Sequence, residues 1–206
     1  YVFDEMLTSF VFGVIMVFVM QDNIVFLFLG QGSQFVGMGA EIWRDFASAR
    51  YAFEMVSDVL KTDVVKIMHH GSDCVLNAPE NAAVAIFANS VAVASVIEDE
   101  IKRPLYDIAY AITGHSMGQY SALYCAGSLS MSDAVGLLKK RSYYMYKKSP
   151  DDAGMIVVVG IDKDSLLELV NSVLPNGFAQ ISNINADNQF VVSGYNNSLD
   201  ELTRKL

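Results

Sequence analysis

Cysteine is scarce in this chain. Cys74 and Cys125 stand alone, with no C-x-x-C pair and no even ladder of spacings, which argues against a disulfide framework and suggests no metal site. Proline is equally sparse, and 4 Pro with 14 Gly in 206 residues leave no low-complexity linker. Basic charge is in deficit: 14 Lys and Arg face 23 Asp and Glu, for a net charge of -9. Phosphate affinity comes from a cationic surplus, so this balance argues against nucleic acid as a partner. Charged residues make up only 18% of the chain and hydrophobic ones 52%, a composition that builds a core rather than staying disordered. The length suits one large domain or two small ones. Isolated thiols in an acidic chain indicate a reducing, cytoplasmic compartment.

The amino-terminal region carries an uncharged run, residues 6–21. It falls short of the ~20 apolar residues that a spanning helix requires. Its upstream flank is acidic (Asp4, Glu5) and no small-x-small cleavage site follows, which argues against a membrane anchor or signal. Met20 reads as a natural start, making residues 1–19 an accessory extension without a role in function. The chain begins at Tyr1 and stops inside an amphipathic helical pattern, so it reads as a piece of a longer protein.

Residues 24–29 form an unbroken apolar run ended by Gly30, the pattern of a central parallel strand buried on both faces. Helical periodicity follows over 42–60 and again over 82–97, the second stretch nearly all apolar and hence buried. A second buried strand is expected over 108–113, then a tight turn, a helix over 119–126 closed by Gly127, and a helix from Ser130 to about Lys148 with Asp133 completing its cap. The segment Pro150-Asp151-Asp152-Ala153-Gly154 is the best internal boundary, giving a core over 20–150 and a second unit over 151–206. Strand signals at 155–159, 179–183 and 190–193, with helices at 164–174 and 198–206, make that unit strand-helix-strand-strand-helix. A ferredoxin-like sandwich needs one further strand, so the subdomain reads as incomplete.

Gly114-His115-Ser116-Met117-Gly118 matches G-x-S-x-G between a strand and a helix, the context in which this motif marks a nucleophile. A bare match is often only a small serine in a turn. Here the glycines let a sharp turn project Ser116 at the helix amino end, where backbone N–H groups and the helix dipole stabilise an oxyanion. His115 precedes the serine directly and reads as structural. No histidine follows Ser116, so the chain as given does not complete a hydrolase triad. His69 and His70 read as an exposed helix end, where imidazole meets the dipole. Gly30-Gln31-Gly32-Ser33-Gln34 follows a strand but lacks the spacing of a nucleotide fingerprint; its better use is a second N–H donor for the oxyanion, from Gln31.

Two motifs on successive α/β units make a resemblance visible. Phe28-Leu29-Gly30-Gln31-Gly32-Ser33-Gln34, and Gly114-His115-Ser116-Met117-Gly118-Gln119-Tyr120-Ser121-Ala122-Leu123 followed by Cys125-Ala126-Gly127, resemble malonyl-coenzyme A:acyl carrier protein transacylases, from about Asn23 to Leu206. The resemblance implies a hydrolase-like parallel-sheet α/β core with an inserted ferredoxin-like α+β subdomain starting near Asp151. It implies an acyltransferase of fatty acid biosynthesis in which Ser116 carries the malonyl ester, Gln31 and Met117 supply the oxyanion N–H groups, and Arg141 holds the free malonyl carboxylate. A guanidinium fork suits that carboxylate on physical grounds as well; the plainer reading of Arg141 is a solvated helix face. The substrates implied are malonyl-coenzyme A, with no bound cofactor, and acyl carrier protein, whose pantetheine thiol attacks the ester in a ping-pong path. Departures from the resemblance are Leu29 in place of proline, Gln119 in place of glutamate, and Ala82-Ala83-Val84 where a Thr-Gln-Pro-like step is expected. The general-base histidine that the resemblance implies falls beyond Leu206.

Acyl carrier proteins are acidic, so docking on an acidic chain needs a local basic patch. Lys139, Lys140, Lys147 and Lys148 are the candidates, clustered with Arg141 in ten residues; the alternative is an ordinary solvated helix face. Two other functions stay open: a serine esterase or lipase using the same elbow, and a catalytically dead fragment that binds acyl-coenzyme A or carrier without turnover. Arg141 speaks against the first, as a buried charge is costly in a lipase pocket. The missing histidine favours the second.

Overall fold

The computed structural model describes residues 8–12, 14–20, 23–173 and 177–206. The chain divides into two compact units, Tyr1–Lys147 and Lys148–Leu206.

The first unit is a four-stranded sheet with helices. Strands β1 (Thr8–Phe12), β2 (Ile15–Met20), β3 (Asn23–Phe28) and β4 (Ala111–Gly114) lie in the order β1-β2-β3-β4. β3 and β4 are parallel, with Phe28 opposite Gly114, and a parallel pair needs a long crossover. That crossover carries α1 (Ala40–Asp45), α2 (Ala47–Leu60), α3 (Val64–His70), α4 (Asp73–Leu76), α5 (Pro79–Ile101) and α6 (Leu105–Ile108); α7 (Gly118–Cys125) and α8 (Met131–Lys147) follow β4.

Helix α5 starts with Pro79 in its first turn, where a missing N–H costs nothing. Every residue from Ala82 to Ala94 is buried. Its many alanines let α2, α7 and α8 pack against it. By length and composition α5 passes as a membrane span, but most of it is buried inside this unit.

The described residues of the uncharged amino-terminal run are strand, not helix. β2 pairs antiparallel with β3 along its whole length, from Met20↔Asn23 to Ile15↔Phe28, and Val14, Ile15 and Val17 join the hydrophobic core. The extension therefore adds an antiparallel edge to the parallel pair. The acidic flank at Asp4 and Glu5 lies outside the described residues. The single helix expected over 42–60 is broken: Phe46 is extended (φ -120°, ψ 127°). Arg50 Nη1 donates to the Trp43 and Arg44 carbonyls at 2.8 and 2.9 Å, satisfying the carbonyls that the end of α1 leaves open.

The second unit contains β5 (Ala153–Val159), α9 (Lys163–Val173), β6 (Ala179–Ala186), β7 (Gln189–Tyr195) and α10 (Asn196–Lys205), with antiparallel sheet order β5-β7-β6. Alternation on β5 sends Val158 into a core with Leu166, Val170, Phe190 and Leu202, and leaves Met155, Val157 and Val159 exposed. Leu174, expected to close the helix of α9, lies outside the described residues.

Candidate active site

The turn between β4 and α7 is tight because two glycines allow it. A side chain at Gly114 would run into the Gly118 carbonyl group, and one at Gly118 into the Phe28 carbonyl group, with the Leu29 oxygen 2.8 Å away. Backbone cannot yield as a flexible side chain can, so both positions demand glycine. The turn is fastened on both sides: His115 N donates to Phe28 O at 2.9 Å, and Gly118 N donates to His115 O at 2.9 Å. These are backbone bonds of His115, whose ring sits at the exposed surface.

Ser116 takes φ +52°, a left-handed conformation that costs a residue with a Cβ about 1–2 kcal/mol. Strain of this kind persists where the surroundings over-determine it. The half-buried Ser116 hydroxyl accepts a hydrogen bond from Arg141 Nη2 at 3.0 Å. Arg141 reaches it from α8, so this arginine is not a solvated helix face.

The residue 30–34 loop comes up to the same turn. A side chain at Gly30 would meet the His115 carbonyl oxygen at 2.5 Å and the Ser116 Cβ at 3.3 Å. The loop is held by Ser33 Oγ donating to Gly30 O at 2.8 Å, Gly32 N donating to Gln34 Oε1 at 2.8 Å, and Gln34 Nε2 donating to Asn77 Oδ1 at 2.7 Å. Neither Gln31 N–H nor Met117 N–H donates to another group among the described residues. Met117 immediately precedes α7 and is buried, whereas Gln31 is exposed. The loop-pinning role of Asn77 was not visible in the sequence, since Asn77 lies 43 residues from its partner Gln34.

The candidate lysines do not all line one cavity. Lys139 and Lys147 line a cavity of about 460 Å³ with Tyr143, Tyr146, Leu60 and Ile67, and Lys147 Nζ sits 5.5 Å from the Tyr146 ring centroid. Lys140 is exposed and outside that lining, and Lys148 begins the second unit. Ser116, Gln31 and Arg141 are not in that cavity wall. His69 and His70 close α3, but His69 is not simply an exposed end. It is half-buried, its Nε2 is 3.2 Å from Met38 O, and its ring meets Trp43 and Phe53 edge-on. Burial holds its imidazole below the ordinary range. Burial also pushes the Cys125 thiol up, keeping it inert, while Cys74 is exposed.

A parallel strand pair leading into a strained serine elbow, with a helix amino end behind it and a guanidinium on the serine, defines an α/β protein of the nucleophile-elbow class. Comparison with known proteins narrows the class. Residues 25–206 match the acyl transferase domain family, and the chain belongs to that family. It is 37% identical over 186 residues to a malonyl CoA-acyl carrier protein transacylase of Bacillus subtilis, covering 89% of this chain and 46% of the relative. The acyl-carrier-protein-S-malonyltransferase of Bartonella henselae superposes with a TM-score of 0.82 at 33% identity, over 87% of this chain and 57% of that one. A chain of the solved complex of a type II polyketide synthase acyl-carrier protein with its malonyl-transacylase also matches, with a TM-score of 0.77 at 28% identity, over 86% of this chain and 57% of that one. The chain spans about half the length of the curated relatives it matches.

Proposed function

We propose that this chain carries the acylation site of a malonyl transferase, moving a malonyl group from coenzyme A to the pantetheine thiol of acyl carrier protein. The observation that carries the reading is Arg141 Nη2 on Ser116 Oγ at 3.0 Å, which puts a carboxylate-binding fork beside the nucleophile. Ser116 Oγ attacks the thioester carbonyl, the Oγ–C bond forms, and the C–S bond breaks to release the coenzyme A thiolate. The hydroxyl proton passes to a base and from it to the departing sulfur. The Gln31 and Met117 N–H groups receive the oxyanion, a role worth about 10²–10³ in rate per donor in serine enzymes. Arg141 binds the free carboxylate of the acyl group. The carrier thiol then attacks the O-malonyl ester and restores Ser116. No bound cofactor enters these steps. Coenzyme A substrates and the acidic, cysteine-poor composition support a cytoplasmic setting in fatty acid biosynthesis.

Docking of an acidic carrier is assigned to Lys139, Lys140, Lys147 and Lys148, with Lys139 and Lys147 at the tyrosine-lined cavity as its firmest part. We assign the domains as an α/β core over 20–150 and a ferredoxin-like subdomain over 151–206. A second reading, binding of acyl-coenzyme A or carrier without turnover, draws on one observation. Among the described residues the Ser116 hydroxyl is bonded to a guanidinium, and no imidazole or carboxylate is bonded to it. Mixing the protein with malonyl-coenzyme A and mapping the adduct by mass spectrometry separates the two. A malonyl ester on Ser116, absent from Ser116→Ala, is the expected result; binding of malonyl-coenzyme A with no adduct would sink the transferase reading in favour of the second.

A further inference from the structure

We infer that the open cavity between α1 and the carboxyl-terminal half of α5 is a second binding site, for an uncharged aliphatic molecule whose polar end donates a hydrogen bond to Asn89. None of Ser116, Gln31 and Arg141 is in its wall, so the inference stands or falls apart from the transferase reading.

Residues 91–97 of α5 carry no charge, and this stretch forms one side of the cavity through Val93, Val96 and Ile97. Ile42 of α1 and Phe46, in the break between α1 and α2, form the other, around a space of about 750 Å³. Val93 is buried, whereas Val96, Ile97, Ile42 and Phe46 are only half-buried, so apolar surface faces the open space. Small-molecule sites have this character: about 300–1,000 Å³, mostly apolar, with a few placed polar groups.

The placed polar group here is Asn89, one helical turn before Val93 and also in the cavity wall. It is 2% exposed, and its Oδ1 has no hydrogen-bond partner among the described residues. Buried side-chain acceptors are normally met, because leaving one unmet forfeits its solvation for nothing. Gly39 in the same wall keeps this one accessible. A side chain there would stand 2.5 Å from Asn89 Oδ1 and 2.9 Å from the Phe53 ring, so the bare glycine leaves the oxygen uncovered. An acceptor calls for a donor, a hydroxyl or an amide N–H. The donor is neutral, since an ammonium group taken down to an uncharged amide would lose its hydration without a counter-charge. The rim excludes anions: Glu41 and Glu100 are exposed there, and no lysine, arginine or histidine lines the cavity.

The test titrates the 206-residue chain by calorimetry with three probes of similar size. These are 1-octanol, heptyl methyl ether, which keeps the oxygen but has no donor, and octanoate, which is anionic. The alcohol is expected to bind about fivefold tighter than the ether, as one net hydrogen bond supplies, and octanoate is expected to bind weakest. Asn89→Leu removes the acceptor at similar volume and should bind alcohol and ether alike. Val96→Trp fills the space and should bind neither. Equal affinity of alcohol and ether in the unmodified protein would overturn the inference, since the Asn89 oxygen is then met by water. Absence of binding, octanoate binding as tightly as the alcohol, or an alcohol preference that survives Asn89→Leu would overturn it as well. Should either variant fail to fold, the three probes on the unmodified protein still decide.

Discussion

The strain at Ser116 is open to direct measurement, by comparing Ser116→Gly with Ser116→Ala. Both changes remove the hydroxyl and with it the bond from Arg141 Nη2, so that loss cancels between them. What remains is the backbone. At φ +52° alanine bears a left-handed penalty of about 1–2 kcal/mol that glycine escapes. Glycine gives back about 0.4–1 kcal/mol through the greater freedom of its unfolded chain. Ser116→Gly is therefore expected to be more stable than Ser116→Ala by about 1 kcal/mol, or about 2–4 °C in midpoint for a domain of this size. The chain's single tryptophan, Trp43, lies in the same unit as the elbow, so its fluorescence in thermal or urea unfolding reports the right transition. Neither variant forms an acyl adduct. An alanine variant as stable as the glycine variant, or more so, would refute a strained elbow and with it the geometric case for Ser116 as a projected nucleophile.

Three further outcomes follow from the same geometry. Arg141→Lys keeps the charge but loses the bidentate fork, and is expected to cut the preference for malonyl- over acetyl-coenzyme A by roughly thirtyfold, the equivalent of about 2 kcal/mol; parallel acylation rates check it, and an unchanged ratio would detach Arg141 from the carboxylate. Gly118→Ala drives a Cβ into the Phe28 carbonyl and is expected to cost about 3 kcal/mol, read as a lowered midpoint by Trp43 fluorescence. The folded protein holds the His69 pKa below its ordinary 6.5, chiefly through burial, with His70 adding to the shift and Asp63 and the Met38 carbonyl opposing it. The unfolded chain then binds this proton first as pH falls, so stability is complete above about 6.5 and is lost below it, until the folded protein is protonated too. The Trp43 ring, 6.2 Å from the imidazole, reports that protonation, and His69→Phe should flatten the acid limb of the stability curve.

Parts of this architecture were legible from residue order alone because their causes are local. The run 24–29 ending in Gly30 was legible as a strand, although β3 buries only Phe26 and Phe28 fully and leaves Ile24, Val25 and Leu27 partly exposed, rather than being buried on both faces. The Ser130–Asp133 pair did cap its helix, Asp133 N donating to Ser130 Oγ at 3.1 Å. The strand-turn-helix setting of Ser116 needed only the adjacent glycines. What escaped depended on partners far along the chain. The break at Phe46 is stabilised by Arg50 reaching back to carbonyls six and seven residues away. His69 is taken from solvent by Trp43 and Phe53, on other helices. Residues 10–20 carry no charge and no period that separates helix from strand; pairing with the edge of β3 decided the matter. The lysines looked like one patch in the sequence, but only Lys139 and Lys147 of α8 line the cavity with Tyr143 and Tyr146, and Lys140 does not.

The contact between Arg141 and Ser116 also bears on the size of the acyl group. An acyl chain with a free terminal carboxylate must place its thioester carbon on Ser116 Oγ and its carboxylate on the arginine at once. With Nη2 already 3.0 Å from Oγ, the span between the two anchors is short, and a single methylene between carbonyl and carboxylate fits it better than a longer dicarboxylic chain, which would have to fold back on itself. The guanidinium has five N–H donors in a fixed plane, so one can stay on the serine oxygen while others take the carboxylate. Its charge beside the hydroxyl also favours the developing alkoxide, lowering the demand on the base. For a neutral acyl chain the same arginine would be a desolvated charge without a partner, an unfavourable neighbour for acetyl or longer alkyl groups. On the proposed function, discrimination by rejection of the uncharged chain as well as attraction of the charged one would follow from one side chain in one position, which separates a malonyl transferase from a lipase pocket built around the same elbow.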